Sequence, residues 1–410
     1  MAQTVKGIKV DFEPNQELEK LFRSYVKAIN LFLNIAYSNN ITSLGRLNQF
    51  RQKVKEKCGI TSYASVMALR DALAIYRSWR KRRGKKSKPK IRKTFLRLSI
   101  PYNAELEDDK VRITVERGKY VWLRLKIGKY QQPFIKALNE GKLKLGEMVV
   151  KRGYIILTVK KESLPYQPES YLALDINEKS INGVLYKNGE FRFLKWSLDK
   201  IYSLNQTYTK LTEELQKKYP NHWALWRKIN RKRFKNRARK VDWHLHNITK
   251  QIVDFAEKEK ALIILEDLKN IKNGINKRKL KKNKYNGKIQ PHRTKPKSLL
   301  GRLNRACFRK IEFVINYKAK WNNIPLTYIK PHYTSRICPR CGWIDRKGLR
   351  GHVFTCKCGF KLNRHYVACL NLLNRYMTGY GSPRDWGRMK AINGLTSQVN
   401  LVGTTQVPKS

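Results

Sequence analysis

Two acids and four cysteines stand where their types and spacing can do chemistry. Asp175 closes the run Tyr171-Leu172-Ala173-Leu174-Asp175, and Glu266 closes Ala261-Leu262-Ile263-Ile264-Leu265-Glu266. Both runs have strand composition, and a sheet can bring two strand ends together. Paired carboxylates there are what two-metal phosphodiester hydrolysis requires: each Mg²⁺ or Mn²⁺ takes oxygen ligands, and the pair stabilises the attacking and leaving oxygens. Either acid alone is more often a solvated surface charge. Asp267 adjoins Glu266, but successive strand residues face opposite sides, so it is expected to point away.

The cysteines read Cys338-x2-Cys341, fourteen residues, then Cys356-x-Cys358, with Gly342 and Gly359 following the two pairs. Thiolates at this spacing close tetrahedrally on Zn²⁺, and a glycine after each pair permits the tight turn of a knuckle. Two unrelated pairs of reduced thiols would leave both glycines as coincidence. Such a zinc is structural. Cys58, Cys307 and Cys369 lie in apolar contexts that suit reduced core thiols. Behind the knuckles comes Asn363-Arg364-His365-Tyr366-Val367-Ala368-Cys369-Leu370-Asn371, and no carboxylate occurs from Arg346 to Arg384.

Charge names the class of partner. The chain of 410 residues carries 89 Lys and Arg against 30 acids, a net +59. That excess is far beyond what solubility needs and implies a polyanion. Nucleic acid leads, because 9 Trp, 21 Tyr and 14 Phe are interleaved with the basic runs. Arg80 to Lys93 holds ten basic residues in fourteen, Arg227 to Lys240 nine in fourteen, and Leu268 to Ile311 no acid at all. From these runs Arg80, Lys81, Arg82, Arg83, Arg227, Arg231, Arg233, Arg237, Arg239 and Lys240 are candidate nucleic-acid contacts, with steep salt dependence expected. No uninterrupted apolar stretch has membrane-spanning length, and the N-terminus lacks a basic region leading into an apolar run. The expected location is the cytoplasm, at the nucleoid, without a membrane partner.

The elements that must position these groups can be read in order. Thr4 to Phe12 alternates like a strand, and Leu18 to about Trp79 is mostly helical, with Leu21, Phe22, Tyr25, Ile29, Phe32, Leu33 and Ala36 forming one apolar stripe. Arg80 to Lys93, broken by Gly84 and Pro89, reads as a basic loop. Short alternating runs from Phe95 to about Lys160 predict a small β-barrel. Beyond Pro165 and Pro168, three strands in a meander, long helices from about Leu198 to Glu259, and the strand ending at Glu266 follow. A helix near Leu299 to Trp321, a strand at Leu326 to Lys330 and a helix from about Tyr366 to Tyr376 complete the order of an RNase H-like α/β domain. The tail from Met377 is weakly periodic and predicts disorder.

At Leu172 to Glu178 the chain resembles the first RuvC motif, at Ile264 to Leu268 the second, and at Tyr333 to Gly342 the entry to an inserted zinc ribbon. It is identified as a member of the transposon-encoded TnpB family, relatives of the type V CRISPR effectors. Arg237 to Thr249 is similar to the family's basic helix, and Tyr317-Lys318-Ala319 to the segment before its last strand. The resemblance implies a barrel-like wedge domain (1–12 and 88–165), a helical recognition region (13–87), a RuvC-like RNase H fold domain (166–335 and 360–376), a zinc ribbon (336–359) and a disordered tail (377–410). It implies a guide RNA from the protein's own element, pairing with double-stranded target DNA beside a short flanking motif, and cleavage by RuvC with Mg²⁺ or Mn²⁺ at Asp175 and Glu266. Two departures stand out. The second knuckle is Cys356-x-Cys358 where relatives commonly have two residues between the cysteines. The third RuvC motif, usually Asp-Arg-Asp, is Asn363-Arg364-His365. Losing a carboxylate removes a negative charge from a site for two divalent ions, so cleavage is expected to be weak or absent. The alternative is an active endonuclease with His365 as third ligand, which favours Mn²⁺. A transposase that joins DNA ends itself would need a nucleophilic Tyr or Ser motif, and none is evident.

Overall fold

A computed structural model describes residues 2–13, 15–82, 87–116, 118–268, 278–282, 287, 289–293, 297–346, 351–379 and 405–406. The chain divides into two compact units, Met1–Ser163 and Leu164–Ser410.

The first unit begins with β1 (Ala2–Phe12), then α1 (Gln16–Ser38), α2 (Leu44–Asn48), α3 (Arg51–Cys58) and α4 (Ser62–Arg80). Helix α1 starts where the Asn15 side chain accepts from the Glu17 N–H at 2.8 Å, and its expected apolar stripe from Leu21 to Ala36 is buried. After the basic run come β2 (Leu96–Leu98), β3 (Ala104–Glu107), β4 (Lys110–Glu116), β5 (Lys119–Lys126), α5 (Gln132–Asn139), β6 (Lys144–Lys151) and β7 (Tyr154–Ser163). The seven strands form one antiparallel sheet in the order β2-β6-β7-β1-β5-β4-β3. Its edge strands β2 and β3 are consecutive and joined only by residues 99–103, where the Asn103 N–H donates to Ser99 O at 3.0 Å. That short link draws the edges together, so the sheet is nearly closed, as the alternating runs predict. Helix α5 was not legible in that pattern. Tyr25 and Asp71 join the helices through a hydrogen bond of 2.9 Å, and Arg97 of β2 pairs with Asp71 at 2.9 Å.

The second unit is a mixed sheet covered on both faces. Strands β8 (Ser170–Ile176), β9 (Ser180–Lys187) and β10 (Glu190–Ser197) make an antiparallel meander. Helices α6 (Asp199–Lys218) and α7 (Trp223–Lys258) lead to β11 (Ala261–Glu266), which returns parallel to β8. A hairpin of β12 (Arg278–Lys282) and β13 (Ile289–Arg293) falls in the acid-free run, followed by α8 (Lys297–Arg305), α9 (Phe308–Trp321) and β14 (Leu326–Ile329), parallel to β11. The cysteine segment holds β15 (Val353–Thr355) and β16 (Lys361–Asn363), and α10 (Arg364–Thr378) follows directly. Of the expected disordered tail, Met377 and Thr378 end α10, and Thr405–Gln406 form β17 alongside β10. Gly379 caps α10 with φ 69°, and the other tail residues lie outside the described ones. The sheet order is β14-β11-β8-β9-β10-β17.

Strand periodicity assigns each residue a face. Leu172, Leu174, Ile263 and Leu265 pack against α6, α7 and α9 in one core. Ala173, Leu262 and Ile264 face the other way, against Val367, Leu370 and Leu373 of α10 and against Cys338 and Cys356. Asp175 and Glu266 continue this second set, so both carboxylates fall on the α10 face. No described helix is long and apolar enough to cross a membrane.

Candidate active site

The register β8–β11 pairs Leu174 with Leu265, which makes Asp175 and Glu266 neighbours at the carboxyl ends of adjacent parallel strands. Both are largely buried: Asp175 is 7% exposed. Burial first, and then the charge of Asp175, pushes the Glu266 carboxyl up to about 8, while the Thr334 hydrogen bond and the Arg375 charge act against this. Thr334 Oγ1 donates to Glu266 Oε1 at 2.8 Å. Asn177 Nδ2 donates to Asp175 Oδ2 at 2.8 Å. Asp267 lies just past β11 and its charge acts on Tyr328, whose ring packs on the opposite core. It faces away from the pair, as alternation requires.

His365 completes the cluster. Asn363 caps α10, its Oδ1 accepting from the His365 N–H at 3.0 Å, so the amide of Asn363 is engaged in holding the helix start. One residue into the helix beyond Arg364, His365 turns its ring back onto the sheet, and Nδ1 lies 2.9 Å from Asp175 Oδ2. The imidazole therefore sits against an oxygen of Asp175. The carboxylate pair suits a divalent cation, which would offset the repulsion that raises Glu266. Among the described residues, however, Asp175, Glu266 and His365 do not bring three ligand atoms within 4.8 Å of one another.

Sequence reasoning missed the groups that hold this pair. Asn371 Nδ2 donates to Thr334 O at 2.6 Å and Ile337 O at 2.8 Å, and Arg375, 2% exposed, donates to Lys330 O and His332 O. Helix α10 thereby fastens the loop whose Thr334 bonds Glu266. The acid-free sequence of α10 was the signal available, since a buried Asn and Arg on an apolar helix must find acceptors.

The four cysteines meet as their spacing predicts. Their sulfur atoms lie within 4.8 Å of one another, with Cys338 and Cys358 at 3.7 Å and Cys341 and Cys356 at 3.4 Å. Four thiolates about 2.3 Å from one zinc ion would stand about 3.8 Å apart, so the cluster fits such a metal. Gly342 and Gly359, at φ 74° and 82°, donate to Cys338 O and Cys356 O and close the two knuckles. The shortened second knuckle thus still converges. Burial pushes the Cys338 thiol up, whereas at Cys358 the Phe360 N–H and the neighbouring thiols outweigh burial and hold it down to about 7.

The basic candidates separate by exposure. Arg80, Lys81 and Arg82 are exposed at the end of α4, and Arg83 lies outside the described residues. On α7, Arg227, Arg231, Arg239 and Lys240 are exposed. Arg233 is half-buried and donates to Leu211 O at 2.9 Å, and Arg237 is half-buried with its guanidinium 5.8 Å from the Phe234 ring. Lys228, Lys232 and Lys235, absent from the candidate set, are exposed with Arg239 along one side of the helix.

A family model described as Cas12f1-like, TNB domain, matches residues 308–372, and one described as uncharacterized protein MJ0013 family matches residues 21–114. TnpB-like protein MJ0751 of Methanocaldococcus jannaschii is 32% identical over 275 residues, 66% of this chain and 92% of that protein. The chain belongs to the TnpB-like family. This TnpB-like chain is also 30% identical over 131 residues to the CRISPR-associated endodeoxyribonuclease Cas12f2 of a Micrarchaeota archaeon, covering 32% of this chain and 21% of that one. Its fold is similar to that in the Cas12f1-sgRNA-target DNA complex, with a TM-score of 0.57 and 13% identity over 88% of this chain and 84% of the other.

Proposed function

We propose that this TnpB-like protein binds a guide RNA, is directed by it to complementary double-stranded DNA, and cuts that DNA weakly or not at all. The sheet order β10-β9-β8-β11-β14, with the first three strands antiparallel and the last two parallel to β8, supports a RuvC-like RNase H domain. The family relationship and the net charge of +59 support nucleic-acid partners.

One observation carries the reading on cleavage: His365 Nδ1 sits 2.9 Å from Asp175 Oδ2, where a third carboxylate is expected. A divalent ion between Asp175 and Glu266 would supply Lewis acidity to the scissile phosphate. The chain's own part is to orient that pair, through Asn177 on Asp175 and Thr334 on Glu266, and to exclude water by burial beneath α10. The third position contributes an imidazole turned onto Asp175 and no negative charge.

The test uses the full chain with its co-purifying RNA and a plasmid target bearing the flanking motif. Binding and cleavage are compared in Mg²⁺ and Mn²⁺ for the wild type, Asp175→Ala and His365→Asp. Binding without cutting, with cutting gained by His365→Asp, is the expected outcome. Efficient wild-type cutting that disappears in Asp175→Ala would sink the impaired-nuclease reading and favour His365 as a metal ligand. Purification free of RNA would remove the guided mechanism itself.

A further inference from the structure

Helix α9 carries an aromatic stripe with no part in the site described above. Phe313, Tyr317 and Trp321 recur at i, i+4 and i+8, which places them along one side of the helix at axial steps of about 6 Å. Phe313 is 66% exposed, and Tyr317 and Trp321 are half-buried. The Phe313 and Tyr317 rings are 5.8 Å apart at 53°, and the exposed His246 of α7 extends the row, its ring 6.3 Å from Tyr317. The row is held rigidly. Tyr317 Oη lies 3.1 Å from His246 Nδ1, and Lys318 Nζ donates to His246 O and to Thr249 Oγ1 at 3.0 Å.

Its surroundings favour an anionic occupant. Arg309, Lys310 and Lys320 are exposed on α9, and Lys250 is exposed one turn beyond His246 on α7. Asp242, the acid facing Lys310, is already paired with it. A fixed aromatic edge beside cations is the composition of a base-stacking platform for a single strand. A duplex, with bases about 3.4 Å apart, cannot lay successive bases on rings spaced about 6 Å. An opened strand can.

Helix α9 packs on the face of the sheet opposite α10, so the row lies away from the Asp175 pair. Guide pairing with double-stranded DNA, as proposed above, leaves one strand unpaired. We propose that Phe313, Tyr317 and Trp321 form a stacking platform for that single-stranded DNA. This rests on the reading of the protein as a nucleic-acid binder directed to double-stranded DNA.

The experiment measures full-length protein binding to oligo-dT, to an abasic oligomer of equal length and to oligo-U across a salt series. Phe313→Ala is expected to weaken oligo-dT binding about five-fold or more while leaving the salt slope unchanged, because stacking releases no counterions. Phe313→Trp should restore binding, and on the abasic oligomer the variants should converge with wild type. Phe313 is mostly exposed, so the substitution leaves the core intact. Oligo-dT affinity within two-fold of wild type, or an equal loss on the abasic oligomer, would overturn the platform. Weakening confined to oligo-U would overturn its assignment to DNA. A wild type that binds none of the three overturns the nucleic-acid reading itself, a result distinct from these.

Discussion

Lys228, Lys232, Lys235 and Arg239 stand at i, i+4, i+7 and i+11 on α7, all exposed, and none pairs with an acid among the described residues. At about 1.5 Å per residue the stripe is about 17 Å long, which spans roughly five phosphate steps of one strand. Four contacts would contribute about 2.8 to the slope of log K against log salt on a single strand and about 3.6 on a duplex. Replacing all four with Gln keeps helix propensity and removes the charge. Between about 50 and about 200 mM salt, the wild type should then lose about 50- to 150-fold more affinity than the variant. Fluorescence anisotropy with labelled nucleic acid over a salt series reads this directly, and circular dichroism checks that α7 survives. Parallel salt slopes for variant and wild type would refute the reasoning, since they would place the stripe in solvent. Arg233→Gln is the internal control: its guanidinium is engaged by Leu211 O at 2.9 Å, so its loss should lower stability with little change in slope.

The cysteine cluster predicts about one zinc per chain by elemental analysis; Cys356→Ser should abolish it and lower the melting temperature, because Cys338 and Cys356 pack in the core beneath α10. A protein that keeps full metal content after Cys356→Ser would contradict the four-thiolate assignment. Glu259 gives a pH-dependent prediction. Burial would raise its carboxyl, but hydrogen bonds and charge from Arg192 at 2.7 Å and Lys187 at 3.2 Å outweigh this and lower it. An acid lowered on folding contributes stability above its unfolded pKa and loses it as pH falls through the folded value. Glu259→Gln should therefore cost about 1 kcal/mol near neutral pH, with partners this exposed, and the difference from wild type should vanish toward acid pH. Denaturant melts at a series of pH values check it, and a gap that persists in acid contradicts the ionic origin.

What could be read from the sequence was what local chemistry dictates. The almost wholly apolar run ending at Glu266 has the composition of a strand buried on both faces, and Ile263 and Leu265 pack into one core while Leu262 and Ile264 pack into the other. The stripe Leu21 to Ala36 had to face a core. The cysteine spacing survived even its one-residue shortening, because convergence depends on the two glycine turns. Helix α5 and the short strands β15 and β16 were not legible, since each is too brief to show a period and is set by the partner it packs on. The split among the basic residues of α7 was equally hidden. Nine charges in fourteen leave no hydrophobic contrast, and only α6 determines that Arg233 turns inward while Lys232 turns out.

The same distinction decides what His365 means. Sequence alone places it where an acid is expected and leaves it open whether the imidazole replaces the carboxylate as a ligand. The fold adds that Asn363 caps α10 and that His365 follows at its second position. A helix start favours negative charge, so a carboxylate there would be stabilised by the exposed N–H groups as well as by a cation. An imidazole brings no negative charge to the helix start, and the partner within its reach is Asp175 at 2.9 Å. Glu266 is raised by burial and by Asp175, opposed by Thr334 and the charge of Arg375. The pair retains the electrostatic strain that a divalent ion relieves, without the third charge that would hold that ion in position. Under the proposed function, His365 would therefore act on cleavage and leave the exposed basic residues of α4 and α7 untouched.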